Sequence, residues 1–226
     1  MTTRPTGHPA GVQTVDYSPG RAADLYGGPA DTTVLMWHGA QTDSRTAMRP
    51  LAERVHEHGV PVVLADWDSH ADDRGRADLL ASARFAAGRA QRLVLVGWSM
   101  GGLAAAGLTL AARDVGMAHT VCLAGAFMVP DPISGAALPD SPSGEPTGFT
   151  LLHGAYDDVV PASASADFAA ALRKWGWPVD CVVLDADHGS IAGAMYDPAA
   201  DRYSAASDPA SLAVAADVAA RIAAVC

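Results

Sequence analysis

Six short apolar runs punctuate the chain, and they constrain the fold more than any other feature. They are "TTVLMWHG" (Thr32 to Gly39), "VPVVLADW" (Val60 to Trp67), "RLVLVG" (Arg92 to Gly97), "HTVCLAG" (His119 to Gly125), "FTLLHG" (Phe149 to Gly154) and "PVDCVVLD" (Pro178 to Asp185). Each is nearly continuous in apolar residues instead of alternating. Strands read this way when helices cover both faces of a parallel sheet. The segments between them carry helical spacing. Met48, Leu51, Ala52 and Val55 follow i, i+3, i+4, i+7, and Phe168, Leu172 and Trp175 repeat the pattern before Gly176, a helix stop. Leu212, Ala215, Ala219, Ile222 and Cys226 form a last stripe, with Asp208 as cap and Pro209 in the first turn. Strands alternating with helices in this way imply a doubly wound α/β sheet. "VQTVDYS" and "RAADLYG" near the start add an antiparallel edge hairpin to this expectation.

Of the 226 residues, half are apolar, enough for a sizeable core and one ordinary domain. The reading is a tail over residues 1–11 and one α/β domain over 12–226. A formal charge of −10 disfavours partners such as nucleic acid and anionic membrane surfaces. No apolar run reaches the length of a membrane span, and the N-terminus lacks the apolar core of a secretory signal, so a cytoplasmic protein is expected. Cys122, Cys181 and Cys226 share no metal-ligand spacing, and Cys122 and Cys181 lie inside apolar runs, as buried free thiols would. Two stretches break the regularity: residues 129–148, rich in Pro, Gly and Ser, and residues 190–209, which has room for a short helix. Loops of this length in a compact domain are often placed over a site.

The chemistry centres on "LVLVGWSMGG", Leu93 to Gly102, where an apolar run ends at Gly97-Trp98-Ser99-Met100-Gly101. A Gly-X-Ser-X-Gly pentapeptide occurs by chance in tight loops. Here a strand precedes it and an apolar helical run follows, which is the context of a nucleophile elbow. Glycines at 97 and 101 suit a turn too tight for side chains, and the helix N-terminus directs N–H groups toward Ser99. A serine hydroxyl needs a base, a group to orient that base, and donors for an oxyanion. His188, in "LDADHGSI", is the one histidine of eight in a loop after the last strand. His56 and His58 read as a solvated helix face, His8 as part of the tail, and His38 and His153 as residues fixing turns at strand ends; His70 borders the cleft at best. "LLHGAYDDVVP" supplies the acid: Asp157 is preferred, with Asp158 as alternative acid or helix cap, and Asp131 behind both. Asp187 neighbours His188 in sequence, but adjacent side chains usually point apart. The oxyanion donors are the N–H of Met100 and that of Ala40 or Gln41, in the loop after "LMWHG".

Together, Gly97-Trp98-Ser99-Met100-Gly101, the early His38-Gly39, "HGAYDDVVP" and the late His188-Gly189 resemble the α/β-hydrolase superfamily. The order Ser99, Asp157, His188 matches that family's order, and the resemblance spans about Thr32 to Cys226. It implies an eight-stranded, mostly parallel sheet with the site at the strands' C-terminal ends. Compactness and the lack of a cap domain resemble small carboxylesterases and dienelactone-hydrolase-like proteins. The latter typically carry a cysteine nucleophile, so a serine implies a carboxylesterase. The implied reaction is acyl transfer through Ser99, without metal or organic cofactor, on small or medium soluble esters. A thioesterase or acyltransferase would use the same residues, and a ligand-binding protein on the same fold would not use them at all. Gln41, Trp67, Trp98, Phe127, Met128 and Ile191 are the expected pocket wall. Arg45 and Arg49 are expected as a solvated helix start rather than an anion site. The natural substrate and the oligomeric state do not follow from the residues.

Overall fold

The computed structural model describes residues 11–42, 44–111 and 116–226. The expected tail over residues 1–11 therefore lies almost wholly outside the described residues. In chain order the strands are β1 (Val12–Ser18), β2 (Arg21–Tyr26), β3 (Ala30–Trp37), β4 (Val62–Ala65), β5 (Ala90–Trp98), β6 (Met117–Leu123), β7 (Gly148–Gly154), β8 (Val179–Leu184), β9 (Ala194–Asp197) and β10 (Arg202–Ala205). The α-helices are α1 (Arg49–Glu57), α2 (Arg76–Ala87), α3 (Met100–Leu110), α4 (Ala162–Lys174) and α5 (Pro209–Ala223). β1 to β8 form one sheet in the order β1-β2-β4-β3-β5-β6-β7-β8. β3 to β8 are parallel, while β1 and β2 form the expected hairpin and join β4 antiparallel. β9 and β10 are a separate small hairpin inside the 190–209 connection.

The near-continuous apolar strands are explained by burial on both sides. Val34, Met36, Val94 and Val96 pack with Leu51 and Val55 of α1 and Val218 and Ile222 of α5. Leu35, Trp37, Leu93 and Leu95 point the other way, onto Leu79 and Ala83 of α2 and Ala104 and Leu108 of α3. Alternation along a strand is thus present but hidden, because both faces are apolar. α3 is the central helix, and all but the first of its residues are buried. Its Gly and Ala composition lets it lie close to β5 and β6. α5 begins as expected: the Asp208 carboxylate accepts from the Ser211 amide at 2.9 Å, and Pro209 occupies the first turn. Cys122 is buried and free, whereas Cys181 and Cys226 are only half-buried.

Arg45 and Arg49 depart from the expected solvated helix start. Asp24 on β2 is fully buried and faces Arg45 Nε at 3.2 Å and Arg49 Nη2 at 2.8 Å. It also accepts from the Thr14 hydroxyl at 2.6 Å. Arg45 pairs in addition with the buried Asp66 just beyond β4, whose Oδ1 takes the Arg45 amide at 3.0 Å. An apolar run cannot announce such a network, because its partners are far apart in sequence. Burial opposes the Asp24 charge, but the Thr14 hydroxyl and the two guanidinium groups outweigh it and hold the carboxyl below its usual range. A carboxyl held low adds stability above pH ~4 and loses it as acid protonates the folded form. Asp24→Asn is expected to lower unfolding free energy by about 3–5 kcal/mol at pH 7. Urea titrations should show that deficit shrinking as the pH falls below 4.

Candidate active site

Ser99 joins the end of β5 to the start of α3 with φ 56° and ψ −117°, a conformation rare for a residue with a side chain. The turn leaves no room beside it. A Cβ on Gly97 would fall 2.1 Å from the Gly101 carbonyl oxygen, and one on Gly101 would fall 2.4 Å from that of His38. The turn is held by backbone bonds: the Ser99 amide donates to Leu123 O at 2.8 Å, and Ser99 O accepts from Ala126 and Leu103 at 3.1 Å each. The Met100 amide is at the first position of α3, where no intrahelical acceptor exists.

The segment after β3 passes directly over this turn, with a Cβ position at Gly39 only 3.3 Å from Ser99 Cβ. The amides of Ala40 and Gln41 differ in how they are engaged. The Gln41 amide donates to Gly39 O at 2.8 Å, whereas the Ala40 amide makes no backbone hydrogen bond among the described residues. His38 sets the orientation of the Gly39–Ala40 peptide. Its Nε2 accepts the Trp67 amide at 3.2 Å, so the proton is on Nδ1, which donates to Gly39 O at 2.8 Å. With its carbonyl held this way, the peptide turns its N–H to the opposite side. Burial pushes the His38 imidazole down to about 4, so this tautomer stays neutral.

His188 follows β8, and its Nδ1 lies 2.8 Å from Asp157 Oδ2, both side chains being almost completely buried. The imidazole donates this bond through Nδ1, so that in the neutral ring Nε2 is the acceptor. The other oxygen of Asp157 takes the amides of Val159 at 2.9 Å and Val160 at 2.8 Å. Asp158 is exposed and makes no such contact, so the aspartate facing the imidazole is Asp157. Asp131 is buried but occupied with the amides of Ile133 and Ser134 in its own loop. Asp187 turns away, accepting from Gly189 and Ser190. His153, on β7, does fix its turn: Nε2 donates to Val160 O at 2.8 Å and Nδ1 meets Ser165 Oγ at 2.7 Å. It also lies 3.4 Å from Asp157 Oδ2, so the acid sits between two imidazoles. Burial works against the Asp157 charge, yet bonds from His153, His188 and the Val160 amide hold the carboxyl far below the usual range. Burial likewise lowers His153, but Asp157 and Val160 O outweigh it and raise this imidazole.

Ser99 and His188 line one cavity of about 240 Å³, with Ala40, Gln41, Trp98 and Tyr203. No hydrogen bond between Ser99 and His188 is formed in this structure; such bonds are often long without a bound reactant. Two of the six expected wall residues, Gln41 and Trp98, are here. Trp67 is not: it is fully buried, stacked on His38 with ring centroids 5.5 Å apart. Ile191 is fully buried in the core beside α5. Phe127 and Met128 line a different cavity with Phe168 and Trp175. These four were expected from proximity to strand ends, which does not tell which way a side chain turns. The hairpin of β9 and β10 replaces them, and the sequence carried no signal for Tyr196, Arg202 and Tyr203 beyond the length of their loop. That hairpin is pinned to the Ala40 segment by the Tyr203 amide, which donates to Gln41 Oε1 at 3.0 Å.

An open parallel sheet with these groups above its C-terminal edge decides the architecture. The chain has the α/β-hydrolase fold. Among solved structures, Thermogutta terrifontis esterase 2 phosphorylated by paraoxon is similar at a TM-score of 0.65 and 19% identity, covering 83% of this chain and 88% of that one. A Pyrococcus furiosus esterase is similar at 0.61 and 19%, covering 76% and 79%. The α/β-hydrolase enzyme MGS-M1, from a Medee basin deep-sea metagenome library, is similar at 0.61 and 17%, covering 80% and 84%. No protein-family model and no curated protein sequence matches the chain. Within this hydrolase fold the residue before Ser99 has a structural task. Trp98 Nε1 donates to His188 O at 2.8 Å, and the two rings lie 5.5 Å apart, so one indole links the β5 turn to the His188 loop. Trp98→Phe keeps the ring and leaves that buried carbonyl without its donor. It is expected to lower unfolding free energy by about 1–3 kcal/mol, measured as a fall in the urea midpoint.

Proposed function

We propose that the protein is a serine-dependent carboxylic ester hydrolase acting through an acyl-enzyme. The observation that carries this reading is His188, hydrogen-bonded to Asp157, sharing a cavity with Ser99 at a strained strand-to-helix turn. Ser99 Oγ attacks the ester carbonyl carbon and gives its proton to His188 Nε2. The carbonyl oxygen becomes an oxyanion beneath the amides of Met100 and Ala40, which are aimed before the substrate arrives and cost little to reorganise. Asp157 keeps its negative charge and steadies the imidazolium; it does not take the proton. The carbon–oxygen bond to the alcohol breaks, and His188 returns the proton to the leaving oxygen. Water then enters and gives a proton to His188 as its oxygen attacks the acyl carbon; the bond from that carbon to Ser99 Oγ breaks, His188 returns the proton to Oγ, and the acid leaves.

The esterases among the structural neighbours support this reading, including Thermogutta terrifontis esterase 2 in structures phosphorylated by paraoxon and bound to propionate. A cavity of this volume and the small size of the β9–β10 cover favour small or medium soluble esters. A thioesterase or acyltransferase would share every residue up to the acyl-enzyme; panels of thioesters and of added alcohol acceptors separate them. Ser99→Ala should abolish turnover of an activated ester, leaving ~10³–10⁴-fold over water from the oxyanion donors and binding alone. The same substitution should end labelling by a fluorophosphonate, with the adduct on the wild-type protein mapping to Ser99. An unlabelled wild-type protein that turns over no ester would instead mark a ligand-binding protein on this fold.

A further inference from the structure

Beyond His188, away from Ser99, a second and larger cleft of about 690 Å³ opens. It adjoins the Ser99 cavity along Val159, His188, Tyr196 and Tyr203. Neither Ser99 nor the Ala40 segment reaches it. Its rim is apolar and aromatic to a degree unusual for exposed surface: Tyr156, Val159 and Tyr196 are 69%, 57% and 47% exposed. Its charges are of one sign. Asp158 and Asp187 line it, with no lysine or arginine, whereas the Ser99 cavity holds both Asp201 and Arg202.

Resting on the ester-hydrolase reading, we infer that this cleft receives the alcohol portion of the ester, and that the alcohol is aromatic or similarly bulky and carries no negative charge. The position follows from the proton's path. The bond that breaks is the one between the acyl carbon and the alcohol oxygen, and that oxygen must take its proton from His188. The leaving group therefore lies on the His188 side of Ser99, and a group too large for the inner cavity extends past the imidazole into the cleft. The chemistry follows from the wall. Flat faces of Tyr156 and Tyr196 suit an aromatic ring, at ~0.5–1.5 kcal/mol per aromatic pair beyond area burial. The two carboxylates repel an anionic alcohol, in a molecule already negative overall.

The test uses the full chain and esters whose leaving groups differ in bulk and charge but little in reactivity. Ethyl acetate, 2-naphthylmethyl acetate, benzyl acetate and 4-carboxybenzyl acetate form the alcohol series; ethyl acetate against ethyl hexanoate reports the acyl side. The wild-type protein should favour 2-naphthylmethyl over ethyl acetate in kcat/KM by ~10-fold or more, within the range for added apolar contact. Tyr156→Ala should cut that ratio several-fold and leave the hexanoate-to-acetate ratio in place. Benzyl acetate should outrun 4-carboxybenzyl acetate, and Asp158→Lys should narrow that gap. A naphthylmethyl preference that Tyr156→Ala does not change, or a shift in the acyl ratio instead, overturns the inference while the esterase reading stands. Absence of both fluorophosphonate labelling and ester turnover overturns the esterase reading itself.

Discussion

Backbone packs tightly against backbone where β5, α3 and the end of β3 meet. At Gly97 and Gly101 even one carbon would land between 2 and 3 Å from a neighbouring carbonyl. Everything above the sheet depends on that contact. It forces Ser99 into a left-handed conformation that a side-chain-bearing residue adopts at a cost of about 1–3 kcal/mol. The cost is met by three backbone bonds at Ser99 and by the all-buried α3 behind it. In return Ser99 lines the cavity, and the first N–H of α3, that of Met100, is left without an intrahelical acceptor. The 38–40 segment can then lie within van der Waals reach of the serine, because Gly39 too has no side chain to displace.

Around this turn, three loops from distant parts of the chain are held by buried side chains: Trp98, which also lines the cavity, and His38 and His153, which do not. Trp98 ties the β5 end to the His188 backbone. His38 holds the peptide before Ala40, and burial keeps it neutral so that one tautomer serves both its bonds. His153 braces the 154–160 loop that carries Asp157 and sets a second imidazole beside the same Asp157 oxygen that His188 contacts. Each link joins a strand end to a loop through hydrogen bonds to backbone groups. A strand end moves little, so the loop it anchors moves little. That is how a site made of loops acquires the rigidity of the sheet.

Much of the architecture was legible because burial on two faces leaves a signature in composition. Six apolar runs marked β3 to β8, and the spacing of Leu51 and Val55, Phe168 and Leu172, or Ala215 and Ile222 marked the helices packed on them. The α5 cap at Asp208 and the hairpin of β1 and β2 were equally local. The pocket wall was not local. Trp67 and Ile191 stand next to strand ends as expected, yet both point into the core, and Phe127 and Met128 turn toward α4. Arg45 and Arg49, which look like a solvated helix start, are drawn under the sheet edge by Asp24 and Asp66. No one-dimensional pattern encodes that pairing, because the partners come from β2 and from the end of β4.

By itself the sequence determined the strand-helix alternation, the elbow around Ser99 and the order of serine, acid and histidine. These follow from short-range chemistry: apolar periodicity, glycine where no side chain fits, and polar residues just past apolar runs. Only the tertiary structure set Asp157, and not Asp158, against His188, and engaged the amide of Gln41 with Gly39 O while leaving that of Ala40 without a backbone acceptor among the described residues. It alone placed Tyr196 and Tyr203 over the cavity and set Trp98 as a link between two loops. Each of those choices turns on which of two neighbouring groups is already hydrogen-bonded or buried. That depends on atoms contributed by segments far away in the chain.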